Sequence, residues 1–209
     1  GIYTNKDYGN VRGLELKLDY SFNNLFIQTN YTYQFTRGNA DNPAQTFNRQ
    51  GSSIDKVIRF IPMSWDQRHT FNVSLGYNTE KFGATITGYY NSGTPYTFSP
   101  QGESNLALLN LYPNNDVKPS NYHADLSGYI NLPKVLGISS KINFLIYNLT
   151  DRYNEYGVSS ETGRAYTAVV NETELLSHRS NFNSYDDRYK DPSMFSSPRE
   201  IKIGWTVSF

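Results

Sequence analysis

Over positions 200–209 the chain alternates without a break. Ile201, Ile203, Trp205, Val207 and Phe209 are apolar, and Glu200, Lys202, Gly204, Thr206 and Ser208 between them are polar or glycine. Successive side chains of an extended strand leave on opposite sides, so this order gives a strand one oily and one wet face. A helix, at 3.6 residues per turn, would scatter the same residues around its axis. The pattern recurs upstream. Leu14, Leu16, Leu18 and Tyr20 alternate with Glu15, Lys17, Asp19 and Ser21. Phe71, Val73, Leu75 and Tyr77 alternate with Thr70, Asn72, Ser74 and Gly76, and Ala124, Leu126, Gly128 and Ile130 alternate with His123, Asp125, Ser127 and Tyr129. Weaker versions lie over 25–35, 82–91 and 139–147, where Leu145 occupies a polar slot.

These segments predict seven strands, near 11–21, 25–35, 67–77, 82–91, 122–132, 139–147 and 200–209. Their length of about 9–11 residues is what a tilted strand needs to cross a bilayer. Strands of soluble sandwiches run about 5–6 residues. The connections alternate in length, short over 22–24, 78–81 and 133–137, long over 36–65, 92–121 and 149–199. Short turns at one end and long loops at the other are the habit of outer-membrane barrels, whose long loops are extracellular. The fold class expected is therefore all-β, an antiparallel transmembrane β-barrel in the bacterial outer membrane, in contact with its lipid.

Composition supports the same architecture. Aromatic residues make up 15% of the chain, yet its mean hydropathy of −0.62 is that of a polar protein. A barrel reconciles the two, because its lipid face is apolar and ringed by aromatics while its lumen and loops are polar. No apolar run reaches the roughly 18 residues of a transmembrane helix. Nineteen basic residues balance nineteen acidic ones, so the basic footprint of a nucleic-acid partner is missing. The absence of cysteine removes disulfide frameworks and thiolate zinc sites. Seven strands do not close an even-stranded barrel, and an open edge in lipid strands backbone groups at several kcal/mol each. The chain, which starts Gly1-Ile2-Tyr3 without a signal peptide, thus reads as part of a larger barrel whose other strands come from upstream sequence or another chain.

If position 209 ends at the periplasmic face, Tyr20, Tyr77 and Phe82 join Phe209 at the periplasmic rim. Tyr31, Tyr33, Phe35, Trp65, Tyr89, Tyr90, Tyr122 and Tyr147 lie toward the outer rim, giving the two aromatic girdles of a barrel. Charges in the alternating segments are expected to face the lumen: Glu15, Lys17, Asp19, Arg68, Asp125, Lys141, Glu200 and Lys202. There they line a substrate path, hold a plug, or form a solvated, salt-bridged wall. Of the three histidines, His69, His123 and His178, only His123 shares a strand face with a nearby carboxylate, Asp125. No Ser, His and acid spacing and no metal or cofactor motif accompanies it, so no enzyme is expected. Tyr96, Phe98, Tyr112, Tyr166 and Tyr185 in the long loops are candidates for a ligand vestibule, and the last loop carries the acidic run around Asp186 and Asp187.

Five short segments, in order, resemble the TonB-dependent receptors, of the kind found in Bacteroidota-like bacteria. Arg12-Gly13-Leu14-Glu15-Leu16 is similar to the family's strand start, and Trp65-Asp66-Gln67-Arg68-His69-Thr70 to the approach to a later strand. Ser92-Gly93-Thr94-Pro95-Tyr96 resembles the opening of an outer loop, and Asn148-Leu149-Thr150-Asp151-Arg152-Tyr153 the segment before the last loop. Pro198-Arg199-Glu200-Ile201, running on to Phe209, resembles the family's final strand. The resemblance implies the last third of a 22-stranded barrel, with a plug domain and a TonB-engaging box elsewhere in the protein. It implies uptake of a scarce nutrient, such as a siderophore, cobalamin, a glycan or a peptide, driven through TonB by the inner-membrane proton gradient. It also implies that Trp205, Val207 and Phe209 form the signal read by the barrel-assembly machinery. A passive porin and a secreted adhesive or structural β-protein are the rival readings.

Overall fold

The computed structural model describes residues 7–42, 44–45, 60–99, 113–166 and 191–208. Ten strands occur in them: β1 (Gly9–Phe22), β2 (Leu25–Gly38), β3 (Ile61–Pro62), β4 (His69–Asn78), β5 (Phe82–Asn91), β6 (Pro95–Tyr96), β7 (Asp116–Val117), β8 (Asn121–Val135), β9 (Ile138–Tyr147) and β10 (Glu200–Ser208). Seven are long, and they pair in the order β1-β2-β4-β5-β8-β9-β10, each antiparallel to the next. The chain is thus all-β, an up-and-down meander in one antiparallel sheet. The path ends at β1 on one side and β10 on the other.

Three differences from the sequence expectation have local causes. The loops are not bare: β3 adds to the end of β2, and β6 pairs with β7. Two-residue strands carry no periodicity from which to read them. β8 runs through Pro133 to Val135, where a turn was expected, and a register shift between Leu132 and Val135 accommodates the proline, which has no N–H to give a ladder. The reversal itself falls on Leu136 and Gly137, both at positive φ (53° and 84°), the geometry of a two-residue hairpin turn.

Register decides what the sheet does. Directly opposed residues of an antiparallel pair share a face. One row can therefore be followed across all seven strands: Tyr20, Ile27, Leu75, Ile86, Leu126, Ile146 and Ile201. A second row, toward the long loops, joins Tyr31, Phe71, Tyr90 and Tyr122. The apolar halves of seven separate alternations thus merge into one face. Nothing covers it among the described residues. The buried apolar side chains are Ile61, Met63 and Ala165, and none belongs to a long strand, whereas Leu16, Leu75, Ile86, Ile203 and Trp205 are all exposed. A soluble sheet protein would bury this face against a second layer.

The strand ends also step in one direction. Take the cross-strand row Phe22, Leu25, Tyr77, Ala84, Gly128, Phe144 and Ile203 as a level line. On the loop side β1 continues from this line to Gly9 and β2 to Gly38, but β10 stops at Glu200. On the turn side β2 begins on the line itself, whereas β8 runs on to Val135 and β10 to Ser208. Such a progressive stagger is the shear that a sheet needs in order to close with tilted strands.

Candidate functional site

The face opposite the apolar one is polar and concave. Two of its rows are Lys17, Asn30, Asn72, Tyr89, His123 and Asp19, Gln28, Ser74, Thr87, Asp125. Side chains from five neighbouring strands in these rows line one hollow of about 460 Å³. A flat sheet about 19 Å wide, at about 4.8 Å per strand, would not bring them round one space, so the sheet curls toward its polar side. Glu15, Lys17, Asp19, Asp125, Lys141, Glu200 and Lys202 all fall on this face by register. They are largely spoken for within the wall. Asn30 donates to Glu15 (2.9 Å), Lys17 pairs with Asp19 (3.0 Å) and Lys202 with Glu200 (3.2 Å). The Lys141 ammonium lies 4.3 Å over the Tyr129 ring.

Arg68 stands apart from that set. It precedes β4, donates to Asp66 (3.0 Å) and lies 4.0 Å over the ring of Phe35, a member of the apolar series. Two girdle expectations also need correcting. Tyr89 opposes His123 and Tyr147 opposes Glu200, so both belong to the polar face while their neighbours Tyr90 and Ile146 are on the other. Composition does not tell these neighbours apart, but the period of two puts adjacent tyrosines on opposite faces.

Three of the five segments that carried the family resemblance, around Asp66, Ser92 and Asn148, are locks between strand ends and loops. Asp66, nearly fully buried, accepts the backbone N–H of Thr36 (2.8 Å) as well as Arg68. Ser92 and His69 bond twice, the Ser92 N–H donating to the His69 carbonyl (2.8 Å) and the His69 N–H to the Ser92 hydroxyl oxygen (2.9 Å), and the Tyr31 hydroxyl meets His69 Nδ1 at 2.9 Å. At Gly93 a Cβ would stand 1.6 Å from the Lys118 carbonyl oxygen, so only glycine lets the two limbs of the second long loop approach. Asn148 and Asp151 hold positive φ (50° and 52°) and start the last long loop with a sharp turn. Asn148 is buried and donates to the carbonyls of Arg152 (2.9 Å) and Ser197 (3.0 Å).

The long loops interlock into a rim. Asn114 reaches from the second to the first, donating to Asp41 and to the Pro62 carbonyl (2.9 Å). The Ser99 N–H reaches from the second to the third, onto the Ser160 carbonyl (2.8 Å). Of the vestibule candidates, Tyr96 and Phe98 meet edge to face (6.4 Å), and the Tyr96 hydroxyl donates to Asp116 (3.1 Å). Partial burial and that carboxylate push the Tyr96 hydroxyl up to about 12. Tyr166 lies under the Arg164 guanidinium (5.7 Å), while Tyr112 and Tyr185, like His178, the acidic run around Asp186 and Phe209, lie outside the described residues. Sequence reading missed Tyr156, whose hydroxyl meets that of Tyr89 at 3.1 Å and brings the last loop against the wall. With Tyr147, His123 and Asp125 they border a second hollow of about 790 Å³ at the junction of wall and loop.

Glu155 and Arg164 clamp the last loop, and the guanidinium bonds hold the Glu155 carboxyl below its ordinary range. A carboxylate whose pKa is lowered by folding stabilises the folded state fully above the ordinary carboxyl range, and the stabilisation is lost as pH falls through the lowered value. Protease sensitivity of this loop is therefore expected to stay constant at neutral pH and to rise on acidification below the ordinary carboxyl range. Glu155→Gln should be sensitive at all pH values; an acid response unchanged in that variant would reject the clamp.

His123 Nε2 lies 2.5 Å from an Asp125 carboxylate oxygen, and Asp125 also accepts the Asn148 N–H (2.8 Å). The imidazole stacks on Tyr89 at 5.6 Å. No group of three or more metal-binding side chains is assembled among the described residues. The arrangement can therefore solvate, bind and position, through hydroxyls, amides and aromatic faces. Compared with known proteins, the chain matches no family model, no curated protein and no solved structure.

Proposed function

We propose that this chain is a run of consecutive wall strands in a bacterial outer-membrane β-barrel, and that the protein imports a scarce nutrient with energy delivered through TonB. One observation carries the membrane assignment: register unites the apolar halves of seven alternations into a single exposed face, with a polar face behind it. Ten strand residues at about 3.3 Å each, tilted by about 45°, span roughly the 25 Å apolar band of such barrels. The one-way stagger of strand ends and the segregation of turns and loops to opposite ends support closure with further strands. The interlocked loops, with Tyr96, Phe98 and the Tyr89–Tyr156 junction at their base, suit a vestibule above a lumen. The import role itself rests on the resemblance of the five segments to TonB-dependent receptors. On that reading the Trp205 and Val207 stripe meets lipid and serves the assembly machinery.

The chain has no cysteine, so each introduced thiol is unique in it. In intact outer membranes, cysteine at Leu16, Ile86 or Ile203 is expected to resist a membrane-impermeant maleimide, and cysteine at Lys17, Thr87 or Lys202 to react when the reagent reaches the lumen. Equal labelling of both sets would sink the membrane assignment. Uptake that persists after the proton gradient is dissipated would move the protein to the passive porins.

A further inference from the structure

On the loop side the apolar face ends in cations. The β1 series Phe22, Tyr20, Leu18, Leu16, Leu14 continues to Arg12, and the β2 series Leu25 to Phe35 continues to Arg37. Arg12 stands directly opposite Phe35, and the Arg68 guanidinium lies 4.0 Å over the same ring. Three arginines therefore gather around Phe35, just beyond the row of Tyr31, Phe71, Tyr90 and Tyr122. On the long strands no apolar-face position holds Asp or Glu.

Arg68 is paired with Asp66 (3.0 Å), but Arg12 and Arg37 have no carboxylate partner among the described residues. Among the described residues Arg12 bonds the neutral Asn10 (2.9 Å), and the Arg37 guanidinium has no hydrogen bond or ion pair. Arg68 gives one of its nitrogens to Asp66, which Thr36 also occupies. Arg37 and Arg68 share a rim hollow of about 510 Å³ with Asp116, whose two oxygens accept the Tyr96 hydroxyl and the Val117 N–H. Asp7 accepts from Asn39 (3.1 Å).

We infer that Arg12, Arg37 and Arg68 bind the phosphate groups of outer-leaflet glycolipids, an inference that rests on the membrane reading above. Guanidinium forks match phosphate oxygens in pairs, and their long stems lie along apolar surface while the charge reaches the headgroup level. Above an aromatic row on a lipid face, an anion at headgroup height complements them. The same chemistry in a lumen would point to a free anionic nutrient, but Arg12 and Arg37 continue the apolar series.

The test is native mass spectrometry of the purified full-length protein with bis-phosphorylated lipid A, the same lipid stripped of its phosphates, and inorganic phosphate. The wild type is expected to retain the phosphorylated lipid about tenfold or more over the stripped one. The double variant Arg12→Gln/Arg37→Gln is expected to lose that preference. Arg68 is left in place because Asp66 depends on it. Equal retention of the two lipids, or an unchanged preference in the double variant, overturns the inference. So does binding of inorganic phosphate that the double variant loses without any lipid preference, which assigns the cluster to free anions. Thiol protection at Leu16 and Ile203, measured in both proteins, separates the readings. Protection without phosphate preference rejects this inference alone, and labelling in the wild type rejects the membrane assignment with it. Protection in the double variant also establishes that it is folded.

Discussion

Leu126→Arg is expected to abolish stable insertion of the barrel, and Ser127→Arg, one residue along, to leave it intact. Leu126 lies inside the row that crosses all seven long strands, with Ile86 on one side and Ile146 on the other. An arginine on the lipid face near the bilayer midplane costs about 2–4 kcal/mol. Set against the 5–15 kcal/mol that separates most folded proteins from unfolded ones, that is a large fraction. Ser127 lies between Thr85 and Leu145 on the concave face, where water solvates a guanidinium. Refolding into lipid vesicles, scored by heat-modifiable gel mobility, compares the two directly. The contrast rests only on the opposite faces that these two neighbours take in one strand. Equal tolerance of both arginines, or a worse outcome for Ser127→Arg, would mean that the Leu126 face does not meet lipid.

That contrast is legible from sequence because the rule behind it is covalent: side chains of an extended chain alternate, whatever the surroundings. For the same reason the segments near Phe82–Asn91 and Glu200–Ser208 are read almost to the residue, and the charges at Glu15, Lys17 and Asp19 fall on one face. What alternation alone leaves open is how strands align. The merging of seven stripes into one face is a property of register, which a one-residue slip in any pair would destroy. Two tyrosines show the limit of composition: Tyr89 and Tyr90 are the same residue type in adjacent positions, yet one meets Tyr156 on the polar side and the other joins Phe71 and Tyr122 on the apolar one. Asp66 and Asn154 were less accessible still. Each satisfies backbone groups some 30 residues away in sequence, Thr36 and Tyr122, and no local pattern encodes such a pairing. β6 and β7 likewise pair across the second long loop with two residues each.

Asn154 carries the second large effect. β8 begins at Asn121, but its pairing with β9 begins only at Leu126, so the first residues of β8 have no strand on that side. The last long loop supplies the missing partner. The Asn154 side-chain oxygen accepts the Tyr122 N–H (3.1 Å) and its nitrogen donates to the Tyr122 carbonyl (2.8 Å), the two bonds that a neighbouring strand would make. Leu149 N–H adds a third, to the Ala124 carbonyl (2.6 Å), and Asp125 takes the Asn148 N–H. Asn154 itself is 1% exposed and tied to Ser196 through its backbone, so this is an ordered surrogate strand. Asn154→Ala leaves the Tyr122 donor and acceptor without their partners, at about 1–3 kcal/mol for each group that water does not reach. The seven-strand register does not pass through this residue, so insertion and overall heat resistance are expected to survive. Amide exchange at Tyr122 should accelerate by about tenfold or more, and protease should cut the connection 148–199 under conditions that spare the wild type. Asn154→Asp keeps the acceptor for Tyr122 and Arg152 and loses the donor, so it should fall between the two. Tyr156, two residues further on, holds the loop to Tyr89 of β5; on the proposed function, loss of ligand affinity without loss of the barrel is the expected consequence. Exchange at Tyr122 unchanged by the alanine would show that the asparagine amide does not complete the sheet.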